Sequence, residues 1–445
     1  MMNARLNPGA KQLIDTVLKL ADAFGLTASV YTTAAASRTV CWRQGSFVSR
    51  RSSVHTSLTV SVVTSAGAIG RVTTDDWSIA AAVRAFHLAR KEAVHNPLFL
   101  AQLSRLNARE ARALPPAPAL DRPDKLPAPF FREVERYHRQ LQRLVAPQQV
   151  GTTCTVRCEQ IAAGRSDGSL HQATIWRAEC LDEWHDPHSF STRRLFACFS
   201  APAAALLSVE QLTAPSLRKL RFLKRHKSVA AADWRQSLSE PQLLLDSEVT
   251  AALLFAAFLS GTIDEPPPTA AVISLEPSEG IPGYHPLHPY GYLLAPAIIC
   301  SARRSDPSYV QALRNQSNRI SSHLSLRLPR LANEARDDAN PAEVCRRLAV
   351  RGLAGELSVL AGINRFHYDA DSGLFALLPQ FVFRWRQGRL TQQAPCWLYS
   401  SFASWLSGCL GGAGPAVLEW PQPGLPWTVS VPQYTLTQVK EDAHA

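Results

Sequence analysis

The chain has 445 residues, of which 46% are hydrophobic, with 47 Lys and Arg against 36 Asp and Glu and 9 cysteines. That length exceeds one ordinary core and predicts two or three domains, and the hydrophobic share is that of a globular chain, not a disordered one. No run reaches the roughly 18 uninterrupted apolar residues of a membrane span, no segment has the layout of a secretory signal, and the odd, scattered cysteines do not form a small disulfide scaffold; a cytoplasmic protein with free buried thiols is the expectation.

In chain order, an amphipathic helix is predicted over 12–24 and a strand over 27–31. Residues 58–74 (LTVSVVTSAGAIGRVTT) read as an alternating strand, a glycine turn and a second strand, and 77–93 as a helix. The stretch 111–129 then holds six prolines. Each fixes its own backbone and restricts the residue before it, which makes a stiff, extended linker. The expected organisation is an N-terminal α/β module at 1–110, a linker at 111–129, a middle α/β module at 130–240 and a β-rich C-terminal domain at 241–445. The middle module opens with a helix over 130–145, strands around 150–162 and a turn at Arg165-Ser166-Asp167-Gly168.

Residues 243–261 (LLLDSEVTAALLFAAFLSG) carry agreeing start and stop signals. A short apolar strand meets an Asp246/Ser247 cap, Glu248 falls in the first helical turn, an apolar helix follows, and Gly261 terminates it. The prolines of 264–268 (DEPPP) would prevent its continuation. Strand candidates at 357–359, 365–368, 374–383, 389–392 and 427–438 predict a large sheet in the last third. Hairpin turns outnumber helix crossovers, so the fold class is α+β with mostly antiparallel strands.

Candidate chemistry is sparse. The net charge of +11 has its densest run at 218–227 (RKLRFLKRHK), readable as a contact for phosphates or an acidic peptide. Without interleaved aromatics or a nucleic-acid fold, a solvated helix face is favoured and nucleic acid is not expected as a partner. His185 and His188, beside Glu183 and Asp186, are metal-ligand types at close spacing, but Pro187 forbids a helix that would align them, and a polar surface loop is favoured. His285, His288 and Tyr290 (YHPLHPYGY) suggest a fixed turn with aromatic packing that could line a peptide groove. The glycine-rich stretch 408–414 (GCLGGAG) lacks the lysine and hydroxyl of a phosphate loop. It is expected to form a tight loop whose backbone approaches a partner or peptide, making Gly411, Gly412 and Gly414 candidate contacts. Cys154 and Cys158 would share one strand face, but no second pair follows at zinc-ribbon spacing.

From about residue 10 to about 440 these motifs, in order, resemble the TldD/PmbA family. The resemblance rests on the hairpin at 41–49, the strand-turn-strand at 58–74, the turn at 165–168, Arg314-Asn315-Gln316-Ser317, residues 328–333 (LPRLAN), Asp371-Ser372-Gly373-Leu374-Phe375, and 429–439 (VSVPQYTLTQV). In catalytic members the helix matching 247–260 carries HExxxH, two histidines that share a zinc ion and a glutamate that activates water, and a cysteine from a C-terminal GxCGKxGQ loop completes the site. Here those places fall on Phe255, Ser260, Ala256 and Ala413, so this chain resembles the non-catalytic, TldE/PmbA-like side. The resemblance implies a heterodimer with a TldD-like catalytic paralogue that would hold the zinc, no cofactor on this chain, and a peptide or natural-product precursor held by strand pairing. The stretches 408–414 and 282–292 are the expected wall of the substrate chamber. Phe255 and Phe258 are either core residues or a plug in a vacated metal pocket. Two alternatives stand beside this reading: a stand-alone peptide-processing enzyme with a relocated site, and a non-enzymatic binding protein.

Overall fold

The computed structural model describes residues 6–95, 128–145, 150–168, 170–186, 191–201, 206–225, 242–264, 271–276, 297–300, 310–311, 314, 323–331, 341–350, 356–419 and 428–439. The first half opens with α1 (Leu6–Ala23), β1 (Thr27–Arg43), β2 (Ser46–Val63), β3 (Ala68–Thr74), α2 (Ile79–Lys91) and β4 (Val94–His95). After the proline-rich stretch come α3 (Ala128–Leu144), β5 (Val150–Arg165), β6 (Leu170–Asp186), β7 (Ser191–Ala201) and α4 (Val209–Arg225). The strand expected over 27–31 runs on to Arg43. It turns into β2 through Gln44 and Gly45, both at positive φ (51° and 77°), the pairing that a two-residue hairpin needs.

Residues on the two sides of the proline-rich stretch belong to one seven-stranded antiparallel sheet, ordered β4-β3-β2-β1-β5-β6-β7. β1 and β5 pair from Ser29 opposite Arg165 to Arg43 opposite Gly151. The expected modules 1–110 and 130–240 are therefore joined by a full strand-strand ladder. Successive side chains alternate across a strand, and the even-numbered β1 residues Ala28, Val30, Val40 and Trp42 meet α1 and α2 at one end and α3 and α4 at the other. All four helices thus cover the same face.

The second half contains β8 (Gln242–Asp246), α5 (Ser247–Ser260), β9 (Val272–Glu276), β10 (Ala297–Cys300), β11 (His323–Arg327), α6 (Pro341–Val350), β12 (Glu356–Tyr368), β13 (Leu374–Arg386), β14 (Arg389–Gln393), β15 (Leu398–Ser401), α7 (Phe402–Ser407), β16 (Cys409–Glu419) and β17 (Thr428–Gln438). They build a ten-stranded sheet with the path β10-β9-β11-β17-β8-β12-β13-β14; β15 joins β13 and β16 joins β17. Its pairings are antiparallel except β11 with β17 and β12 with β8. The last strand of the chain lies in the middle of the sheet.

One face of this sheet packs on α5 and α7, through Leu243, Leu245, Val429, Val431, Phe402 and Trp405. The other face, through Leu244, Leu357, Phe381, Phe383 and Leu436, meets Leu141, Val150, Trp184 and Leu195 of the first half. At this junction the buried Gln380 amide donates to the Arg194 carbonyl on β7 and, at 2.9 Å, to the Ile363 carbonyl on β12. No helix among the described residues is long and apolar enough to cross a membrane.

Candidate functional site

The strand-cap-helix unit predicted at 243–261 is present with the expected boundaries. Asp246 ends β8 and caps α5, its Oδ1 accepting from the Val249 amide at 2.9 Å. Its Oδ2 accepts from the Gly362 amide at 2.8 Å, and Glu248 Oε1 accepts from the Ile363 amide at 3.2 Å. Gly362 sits at φ 67° beside an irregularity in β12, which turns these amides toward the helix start. Two carboxylates favoured by the positive end of the helix dipole therefore clamp α5 to the neighbouring strand.

The other end is held as firmly. Gly261 takes φ 82°, the left-handed geometry of a helix stop. The guanidinium of Arg314, 8% exposed, donates to the Phe258 carbonyl and lies 5.3 Å from the Phe258 ring centroid. A cation here complements the negative end of the dipole. Sequence reasoning placed Arg314 in a family motif without a role; a positive charge at long range from a helix end leaves no local signal. Between the clamps, residues from Val249 through Phe258 are all buried. A helix apolar all round belongs inside a core.

The places expected to be altered metal ligands can now be located. Phe255 and Ala256 are 4% and 2% exposed within the cluster that includes Phe402, Trp405 and Leu406, as is Phe258; the two phenylalanines are part of this continuous core. The Ser260 hydroxyl donates to the Ala257 carbonyl at 3.1 Å and meets the Thr262 hydroxyl at 2.7 Å, serving the helix end. Ala413 is the correction. It lies directly opposite Tyr434 and belongs, with Tyr434 and Leu436, to the core on the sheet face away from α5. A thiol at 413 would point into the junction between the halves, with the sheet between it and Phe255. The four positions do not converge on one pocket.

The glycine-rich stretch is also different from expectation. Instead of a loop it is an irregular strand, β16, paired along β17. The outer edge at Gly412 is taken by the chain itself: Gly412 N–H donates to the Pro329 carbonyl at 2.9 Å and its carbonyl accepts from Leu331 at 3.0 Å. A Cβ at Gly411 would stand 2.5 Å from Leu331 Cγ, and one at Gly412 2.7 Å from Pro432 Cγ. Gly414 combines φ 82° with the Gln433 side chain at 2.5 Å from its missing Cβ. Close approach is what the glycines permit, and within the chain the neighbours are Pro329 and Leu331 at Gly411 and the β17 residues Pro432 and Gln433 at Gly412 and Gly414. His285, His288, Tyr290 and His188 lie outside the described residues. His185 and Glu183 stand at the end of strand β6, not in a loop, and Glu183 pairs with Arg194 at 2.7 Å.

A second polar centre was not visible in the sequence. Under α3, the Tyr137 hydroxyl donates to Asp182 Oδ2 and the Thr152 hydroxyl to Oδ1 at 2.8 Å. His138 Nδ1 meets the Thr152 hydroxyl at 2.8 Å, and its Nε2 accepts from the Gly45 amide at 3.2 Å. The Gly45 donor leaves Nδ1 carrying the proton, so the chain of donors runs from imidazole through hydroxyl to carboxylate. Asp182 is 1% exposed and His138 is fully buried. Burial pushes the Asp182 carboxyl up to about 6 against the pull of its donors Tyr137, Thr152 and the Cys180 thiol, and burial holds His138 below the usual imidazole range. The side chains of Tyr137, His138, Thr152 and Asp182 are all buried, which makes the cluster a structural tie between α3, the sheet and the β1–β2 turn. Burial likewise raises the thiols of Cys154, Cys180, Cys345 and Cys409, the last two to about 12, which disfavours the reactive thiolate.

From Val249 to Phe258 the side chains of α5 are aliphatic or aromatic apart from Thr250, and the buried hydroxyls of Thr250, Ser358 and Thr435 are poor zinc ligands. The carboxylates at the start of the helix, Asp246 and Glu248, accept from backbone amides. Among the described residues no group of three or more His, Cys, Asp and Glu could hold a metal ion.

Fold and site together define a two-sheet α+β protein built around a buried strand-cap-helix unit, with no metal-ligand set among the described residues. That architecture is shared over nearly its whole length with solved proteins of the TldD/PmbA type: TldE from Thermococcus kodakarensis (TM-score 0.63, 10% identity, covering 97% of this chain and 99% of that one) and candidate modulators of DNA gyrase from Thermotoga maritima (0.60, 12%, 97% and 99%) and Bacteroides thetaiotaomicron (0.61, 12%, 99% and 99%). No family model and no curated protein sequence matches the chain.

Proposed function

We propose that the chain is the non-catalytic, TldE-like subunit of a two-chain zinc peptidase, pairing in the cytoplasm with a TldD-like paralogue that holds the metal, and helping to bind and process a peptide or natural-product precursor. The observation that carries this reading is α5: its strand, cap and terminator are all retained, while Phe255, Ala256 and Ser260 offer no ligand and are committed to the core and the helix end. The full-length likeness of fold supports it. The segment bearing His285, His288 and Tyr290 is proposed to face the peptide.

The test is isolation of the tagged chain from its own host followed by native mass spectrometry. A complex with a second chain of similar size and one zinc per pair is expected. A lone or self-associated chain that binds its own zinc and cleaves peptides would overturn the proposal.

A further inference from the structure

The hairpin of β1 and β2 leaves a long strand edge open. β2 pairs with β1 along its length, but β3 covers its other side only from Leu58 to Val63. Residues 46–57 therefore have no strand on that side among the described residues. At about 3.3 Å per residue this is roughly 40 Å of free ladder. Such edges pair readily with other chains unless blunted by proline, inward charge or cover. Here no proline interrupts 46–57, and Phe47, Val48 and Val54 are 59%, 52% and 72% exposed.

The charge of this hairpin is one-sided. Residues 23–74 contain Arg38, Arg43, Arg50, Arg51 and Arg71 and no acidic residue. Of the nearby carboxylates, Asp76 pairs with Arg84, Glu135 with Arg139 and Glu159 with Arg157; Asp75, whose carbonyl accepts from the Thr56 hydroxyl, stands at the β3 end of the open stretch, several residues along the strand from Arg50 and Arg51. Arg50 and Arg51 are exposed in the middle of the open stretch. A second copy of the chain, added antiparallel about this centre, would place the two Arg50-Arg51 pairs diagonally across from each other, and like charges at such positions destabilise pairing.

We propose that the open edge at 46–57 receives an extended acidic segment of another protein as an added strand. Main-chain hydrogen bonds would supply affinity, and the arginines would select acidic side chains on the incoming strand. This stands independently of the peptidase-subunit reading, since it needs neither zinc nor a paralogue.

The probe is a fluorescein-labelled octapeptide alternating aspartate and valine, titrated into the full chain and followed by anisotropy and hydrogen exchange. The expected result is saturable binding that protects amides within 46–57, weakens at least tenfold in the Arg50→Ser/Arg51→Ser double variant, and vanishes when alternate peptide amides along the docking edge are N-methylated. Circular dichroism of the double variant separates lost binding from lost folding, and methylation of the probe tests the unaltered protein. Equal binding of a lysine-valine peptide, insensitivity to methylation along either edge, protection elsewhere, self-association through 46–57, or no binding would each overturn the proposal.

Discussion

Replacing Asp246 tests whether the clamp at the start of α5 holds the helix as the geometry indicates. The carboxylate accepts two amide donors, Val249 within its own helix and Gly362 on β12, at 2.9 and 2.8 Å. An N-cap is worth about 1 kcal/mol, and a hydrogen bond to a charged group about 1.5–3 kcal/mol. Asp246→Ala removes both and should cost roughly 3 kcal/mol. Asp246→Ser keeps an acceptor for Val249 but is too short to reach Gly362, and should cost roughly 2 kcal/mol, the tether alone. The assay is equilibrium urea unfolding read as a shift in midpoint at constant m, with hydrogen exchange of the α5 amides as the local readout. If serine proved as benign as aspartate, the Gly362 tether would contribute nothing. If alanine cost less than about 0.5 kcal/mol, the clamp would not be what positions α5.

Asp182 gives a pH prediction. Its carboxyl titrates near 6 when folded and near 3.8 when exposed, so between those values the folded state holds the proton that the unfolded state has released. Stability from this group is greatest below about pH 4 and falls as pH rises to about 6, by about 3 kcal/mol in all. Urea midpoints of wild type and Asp182→Asn across this range should diverge accordingly; a constant difference would refute the assignment. Gly412→Ala must displace Pro432 or the 329–331 segment, and a loss of about 1–3 kcal/mol in unfolding free energy is expected; a neutral variant would mean that the two strands do not lie this close. Combining Phe255→His, Ser260→His and Ala413→Cys should create no zinc site, because residue 413 faces away from α5; stoichiometric zinc held by the cysteine thiolate in the folded variant would show the sheet register to be wrong.

The sequence by itself determined what is local. Asp246 and Gly261 bracket α5 through contacts within a few residues of themselves, so cap and terminator could be read directly. The β1–β2 hairpin was legible from the family resemblance of 41–49, and the α+β class from the run of hairpins. Tertiary structure decided everything that depends on which strand lies beside which. The ladder between β1 and β5 joins blocks that the prolines separate along the chain, and β17, the last described strand, enters the middle of the second sheet. Above all it decided the facing of Ala413. The register of β16 against β17 shifts twice, between Cys409 and Gly411 and between Ala413 and Ala416. Side chains alternate with period two, so each one-residue shift exchanges the faces of everything beyond it. Spacing along the chain carries no record of that exchange, and a position matched by motif to a metal ligand can therefore lie on the wrong side of the sheet.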